Sequence, residues 1–164
     1  MVRFPVLFER YAPRTAALIG MVIYIFFGPQ AYATALAREW DVQALYAAVF
    51  DTSSIVSAFL FSFLVFIRTT TNQFLEAFRD HPSYNILTRH FLWATATSFA
   101  LTIGTIPFLV VVPKPLSLYS ITFFVVLVWV GLTTYVIFAV LRSAYQFLAV
   151  LDAAYSERFV KQVG

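Results

Sequence analysis

The chain reads as an all-α membrane protein: four transmembrane helices, N- and C-termini cytoplasmic, helices two and four extended into the cytoplasm. Three observations predict this. Hydrophobic residues make up 61% of the 164 residues and charged residues 12%, against roughly 45–50% and about 25% in soluble domains. Four runs, at about residues 15–36, 46–67, 91–112 and 118–141, are each long enough to cross a bilayer, which takes roughly 20 apolar residues. Basic residues are distributed unevenly among the segments joining these runs.

Arg3, Arg10 and Arg14 precede the first run, Arg68, Arg79 and Arg89 lie between the second and third, and Arg142, Arg158 and Lys161 follow the fourth. The opposite side holds only Arg38 and Lys114. Cytoplasmic loops collect Lys and Arg, so both termini are expected inside. The net charge of +3 therefore speaks of topology, and no nucleic-acid partner is expected. Cysteine is absent, which excludes disulfides and thiolate metal sites. No N-x-[ST] sequon occurs, compatible with the bacterial inner membrane as the expected location. One integral-membrane domain is expected over residues 1–164.

In chain order, residues 1–14 place Phe4, Leu7, Phe8 and Tyr11 at helical spacing among three arginines. This suits a short interfacial helix, with Pro13 in the first turn of the helix that follows. A basic start, an apolar run to Phe27 and Ala31-Tyr32-Ala33 also have the make-up of a signal peptide; the run is read as a retained span. Gly28-Pro29 predicts a kink. Ala31, Ala33, Ala35 and Ala37 give small spacings for close helix contact. Arg38–Asp41 is the first outer loop, with Trp40 in the aromatic belt.

Asp41 is the expected N-cap of the second helix and Asp51, followed by Thr-Ser-Ser, its rival. A single helix from Asp41 to Asp80 would measure about 60 Å at ~1.5 Å per residue, twice the ~30 Å hydrocarbon core. Residues 68–81 are thus expected to project inward. Pro82 ends that helix and Ser83 caps the next. Gly104 and Pro107 predict a second kink, Pro113-Lys114-Pro115 a stiff outer turn, and Ser117 the cap of the fourth helix. The fourth helix passes Arg142 without a breaker, giving a second inward extension over 142–160. Leu60, Leu64, Ile67, Thr71, Phe74 and Phe78 repeat at 3 and 4, as do Leu141, Ala144, Leu148, Leu151 and Tyr155. The two rows predict a seam between parallel extensions.

No phosphate loop, nucleophile elbow, zinc-protease motif or intramembrane carboxylate pair occurs, so no enzyme, cofactor or metal site is expected. His81 and His90 read as interfacial residues. Asp51 is the only acid inside a span, a position that defaults to a functional hypothesis; cap, packing partner and ion contact all remain open for it. Asp51, Ser54, Ala58, Ser62 and Thr69 share one face of the second helix, and Thr88, Thr95, Ser98, Thr102 and Thr105 one face of the third. Such stripes line a narrow wet path or let helices approach closely. The candidate pore residues are accordingly Asp51, Ser54, Ser62, Thr95, Ser98, Thr102 and Thr105. Trp129, mid-span, needs an acceptor for its indole N–H. Phe74, Phe78, Leu148, Leu151 and Tyr155 are candidates for docking a soluble cytoplasmic protein.

The layout of four short-looped spans in 164 residues resembles the small four-span membrane proteins encoded with bacterial defence systems. That resemblance implies a subunit that anchors, senses or permeabilises the membrane. A bundle this small cannot enclose a wide pore alone, so membrane lipid and further copies of the chain are the expected partners. The expected function is a homo-oligomeric channel or membrane-perturbing assembly; the alternative is an anchor or sensor for a soluble effector. The topology has a direct check. Lys114→Cys should react with an impermeant maleimide from outside intact cells, and Arg79→Cys and Arg158→Cys only after permeabilisation.

Overall fold

A computed structural model describes the backbone over residues 4–69, 82–113 and 120–163, and side chains over 11–69, 84–113 and 120–149. Four helices fill it: α1 (Phe4–Ala37), α2 (Val42–Thr69), α3 (Pro82–Val110) and α4 (Ile121–Val163). All four contain a stretch long and apolar enough to cross a membrane. A helix satisfies all its interior backbone groups itself, which is why hydrocarbon admits it.

The helix ends follow from local chemistry. α1 closes in a Schellman motif: Trp40 N–H donates to the Ala35 carbonyl at 2.9 Å and Glu39 N–H to Leu36 at 3.1 Å. Glu39 supplies the left-handed residue, with φ of 55°, a role that glycine usually takes. The Arg38 guanidinium lies 5.8 Å from the centre of the Trp40 ring. Two residues later Asp41 caps α2, its carboxylate accepting the Ala44 N–H at 3.0 Å. Asp51 therefore sits inside a continuous helix. At the far end of α3, the Gln43 side-chain amide donates to the Leu109 carbonyl at 2.9 Å. The residue four positions on is Pro113, which has no N–H to offer that carbonyl.

Three expectations about boundaries change. Pro13 does not open a second helix; α1 runs through it from Phe4, as it does through Pro29. Pro13 is among the most buried side chains, between buried Ala12 and Ala16, so packing holds the helix where the ladder lacks a bond. Pro82 is the first residue of α3, so Ser83 is not its cap; proline at that position surrenders an N–H the helix would leave unbonded anyway. Ser120 caps α4 in place of Ser117, its hydroxyl accepting the Phe123 N–H at 3.1 Å.

α3 and α4 pack together at the centre, α2 lies mainly against α3, and α1 lies mainly against α4. Two apolar clusters stack along the bundle. One joins Tyr46, Leu101, Phe108, Val126, Trp129 and Val136. Within it the rings of Tyr46, Phe108 and Trp129 meet at centroid distances of 5.0–5.6 Å, in the tilted and edge-on geometries that aromatic pairs favour. The other joins Leu60, Leu64, Leu87, Phe91, Ala94 and Ala139. Leu60, Leu64 and Ile67 are buried as their spacing predicts. The buried partners of Leu60 and Leu64 in that cluster come mostly from α3, and α2 meets α4 here through the Phe63 and Phe147 rings, their centroids 4.6 Å apart. Leu141, Ala144 and Leu148 of α4 stay exposed, so the seam expected between helices two and four is not closed within one chain along these residues.

α1 is the least buried helix, with Leu18, Ile19, Val22, Ile23, Phe26 and Phe27 all exposed. Its contact with α4 depends on two glycines. A Cβ on Gly20 would come within 2.6 Å of the Thr134 hydroxyl, and one on Gly131 would run into the Met21 side chain. Met21 can yield, being flexible. Thr134 is short, β-branched and bonded to the Val130 carbonyl at 2.9 Å. Gly20→Leu should therefore loosen α1 and cost roughly 1–3 kcal/mol by overpacking. Gly104→Ala meets nothing within 4 Å and should leave the melting temperature in detergent unchanged or slightly raised; thermal unfolding of the two variants side by side is the check.

Candidate functional site

The polar side chains singled out on α2 and α3 fall into two groups, one turned inward and one outward. The inward group is a set of small hydroxyl residues buried alongside the two apolar clusters: Ser53 and Ser57 from α2, and Thr95, Ser98, Thr102 and Thr105 from α3. All are buried except Thr102, which is half-buried. Ser53 and Thr102 hydroxyls meet across the α2–α3 interface at 2.8 Å. Most of the remaining bonding is local. Thr95 donates to the Phe91 carbonyl at 2.8 Å, Thr102 to Ser98 at 3.0 Å and Thr105 to Leu101 at 2.7 Å. A hydroxyl that bonds back to the preceding turn needs no water, and its small bulk lets helices approach.

Trp129 joins this set. Its Nε1–H donates to the Thr105 hydroxyl at 2.9 Å, and that hydroxyl in turn donates to the Leu101 carbonyl. One threonine thus satisfies an indole N–H deep in the bundle. Ser98 differs: its hydroxyl is fully enclosed and has no hydrogen-bond partner among the described residues.

The outward group lies on α2. Asp51 and Ser62 are exposed, together with Ala44, Ala48, Ala58 and Thr69. Nine residues separate Asp51 from buried Leu60, about half a turn around the helix at roughly 100° per residue. Ser54 is half-buried and bonded to the Phe50 carbonyl at 2.8 Å; Ser62 bonds to Ala58 at 2.8 Å. Asp51 makes no hydrogen bond or ion pair among the described residues. The two hydroxyl stripes read from the sequence therefore do not face one another in the chain. The α3 stripe (Thr95, Ser98, Thr102, Thr105) turns inward and meets α2 through the Thr102–Ser53 hydroxyl pair, whereas Asp51 and Ser62 point out of the bundle.

Ser53 and Ser57 escaped the sequence reading because the α2 face was counted from Asp51. The row Leu60, Leu64 and Ile67 carried the needed signal: continued upward at helical spacing it passes through Ser57 and Ser53 to Tyr46.

Of the candidate docking residues, Leu148 is exposed. It borders an apolar groove of about 430 Å³ with Ile55, Phe59, Phe63, Phe91 and Phe147. Phe74 and Phe78, and the side chains of Leu151 and Tyr155, lie outside the described residues. So does His81. His90 Nδ1 lies 2.8 Å from the Gln146 side-chain oxygen, tying α3 to α4.

Comparison with family models, with curated proteins and with solved structures finds no match. The functional reading therefore rests on the residues alone.

The hydroxyl set makes opposite predictions for two neighbours. Thr105→Val removes the acceptor of a buried N–H and should destabilise by about 1–3 kcal/mol. In a Trp129→Phe background the same change should cost clearly less. Ser98→Ala removes a hydroxyl with no partner among the described residues and should be neutral or stabilising. Unfolding in mixed micelles for the four variants and the parent reads all of these differences.

Proposed function

We propose that the chain is a membrane subunit that assembles with copies of itself into a channel or membrane-perturbing assembly. The exposure of Asp51 carries this reading. α2 is apolar enough to span, and Asp51 lies nine residues in from its start on the face that α3 does not cover. An aspartate at the centre of a helix in hydrocarbon costs about 2.5–3.5 kcal/mol, and Asp51, nearer the end of α2, bears a smaller cost of the same kind. Covering it with a second subunit or an aqueous lumen removes that cost. The neighbours suit either cover. Ala44, Ala48, Ala58 and Ser62 set small residues around Asp51, with Ile55 projecting between them; small residues favour close packing of membrane helices, and a ring of carboxylates from several copies would attract cations.

The bacterial inner membrane as location and both termini in the cytoplasm belong to the same proposal, supported by the Lys/Arg distribution. So does an inward extension of α4 beyond Arg142. One observation favours a second reading, an anchor for a soluble effector. Leu148 and Tyr145 are exposed apolar residues at the end of the spans where Arg142 marks the water boundary. The resemblance to small defence-encoded membrane proteins fits both readings.

The test measures flux and assembly on the same reconstituted samples. Asp51→Asn keeps the shape and removes the charge, so cation flux should fall while the oligomer survives. Ser62→Leu should disturb assembly by its bulk. An Asp51→Asn protein with undiminished flux would remove the ion-contact role. Silent liposomes for the parent, with co-purification of a soluble protein through Leu148, would leave the anchor reading.

A further inference from the structure

α1 and α3 both pack on α4 but hardly on each other. At one end of the bundle the gap between them opens into a cavity of about 350 Å³, lined by Pro13, Arg14, Arg89, His90, Trp93, Tyr135 and Arg142. Three arginines, one from each of the three helices, converge on this space. No carboxylate lines it among the described residues. Its volume falls within the roughly 300–1,000 Å³ of small-molecule sites.

We propose that this cavity binds a phosphate-bearing anion through Arg14 and Arg89, beside Arg142, the anion being either the phosphodiester of an anionic phospholipid or soluble phosphate. Arg14 and Arg89 bring two exposed guanidinium groups to one small space, and an oxyanion between them offsets their mutual repulsion. Guanidinium is the side chain best shaped for phosphate, since its planar fork donates two parallel bonds. Arg14 and Arg89 reach the cavity from exposed positions, while Arg142 is half-buried and already engaged within the protein. Trp93, exposed beside them, is the residue type that settles at headgroup depth. Basic pockets between transmembrane helices on the cytoplasmic side are where anionic headgroups bind; the Lys/Arg bias predicts that this is the cytoplasmic end. The inference requires that the helices span a bilayer and does not require an oligomer or a channel.

The experiment uses the full chain in three kinds of nanodisc: phosphatidylcholine alone, phosphatidylcholine with phosphatidylglycerol, and phosphatidylcholine with inorganic phosphate in the buffer. Melting temperature and the lipid retained in native mass spectrometry are read for each. Phosphatidylglycerol should raise the melting temperature and remain bound. Arg14→Gln and Arg89→Gln should each weaken that binding roughly five- to tenfold, the effect of losing one phosphate-contacting arginine. Both residues are exposed, so neither change should prevent folding. Arg68→Gln, a change on α2 away from the cavity, should leave binding intact. Stabilisation by inorganic phosphate in phosphatidylcholine discs, lost in the same two variants, would identify soluble phosphate as the source. Three results would overturn the proposal: no stabilisation by either anion, stabilisation that survives the Arg14→Gln/Arg89→Gln double change, or stabilisation that falls equally with Arg68→Gln.

Discussion

Hydrocarbon offers no hydrogen-bond partner, and that constraint decides where the polar atoms of these spans go. Backbone groups are answered inside each helix. Hydroxyls are answered by the carbonyl one turn back, as at Thr95, Thr102 and Thr105. Trp129 carries a donor that its own helix cannot accommodate, and α3 answers it through Thr105. This last bond ties the α3–α4 pair at the level where Tyr46 of α2 also reaches in, with its ring 5.0 Å from the indole. Three helices are thereby fixed in register by one aromatic residue and its acceptor. α1 stands outside this arrangement and relies on the close approach at Gly20 and Gly131.

Much of the fold was legible in the sequence, for physical reasons that can be named. Four apolar runs are visible because the bilayer demands length and hydrophobicity and little else. The Asp41 cap was legible because an aspartate three residues before a free N–H has few other uses there. Ser120 was not distinguishable from Ser117, since both are serines ahead of the same apolar run. Pro13 misled because proline usually marks an edge, and only the burial of its ring explains why the helix continues.

Helix faces were harder to read. In water, polar residues mark the outside of a helix. In lipid the surface is as apolar as the core, and small hydroxyl residues can mark the inside. α3 follows that inverted rule with Thr95, Ser98, Thr102 and Thr105. α2 carries both kinds of face, so a count begun at Asp51 found the outward one, and Ser53 and Ser57 were passed over. The arginines show a similar limit. Their number on each side gives a topology, but the convergence of Arg14, Arg89 and Arg142 on one space depends on α1 and α3 flanking α4, a contact that no local pattern encodes.

The attachment of α1 has a bearing on how the protein is made. α1 leaves the ribosome well before its main partner, α4. Eighty-four positions separate Ala37 from Ile121, which at about 5–20 residues per second is a delay of several seconds. Through that interval α1 must reside in the bilayer without its neighbour. Its circumference of Leu18, Ile19, Val22, Ile23, Phe26 and Phe27 makes such waiting cheap, because lipid wets it almost everywhere. α2 and α3, by contrast, meet as consecutive helices and can pair as soon as both are inserted, which lets their buried serines and threonines escape the acyl chains early. The order of synthesis and the distribution of polar side chains are thus matched.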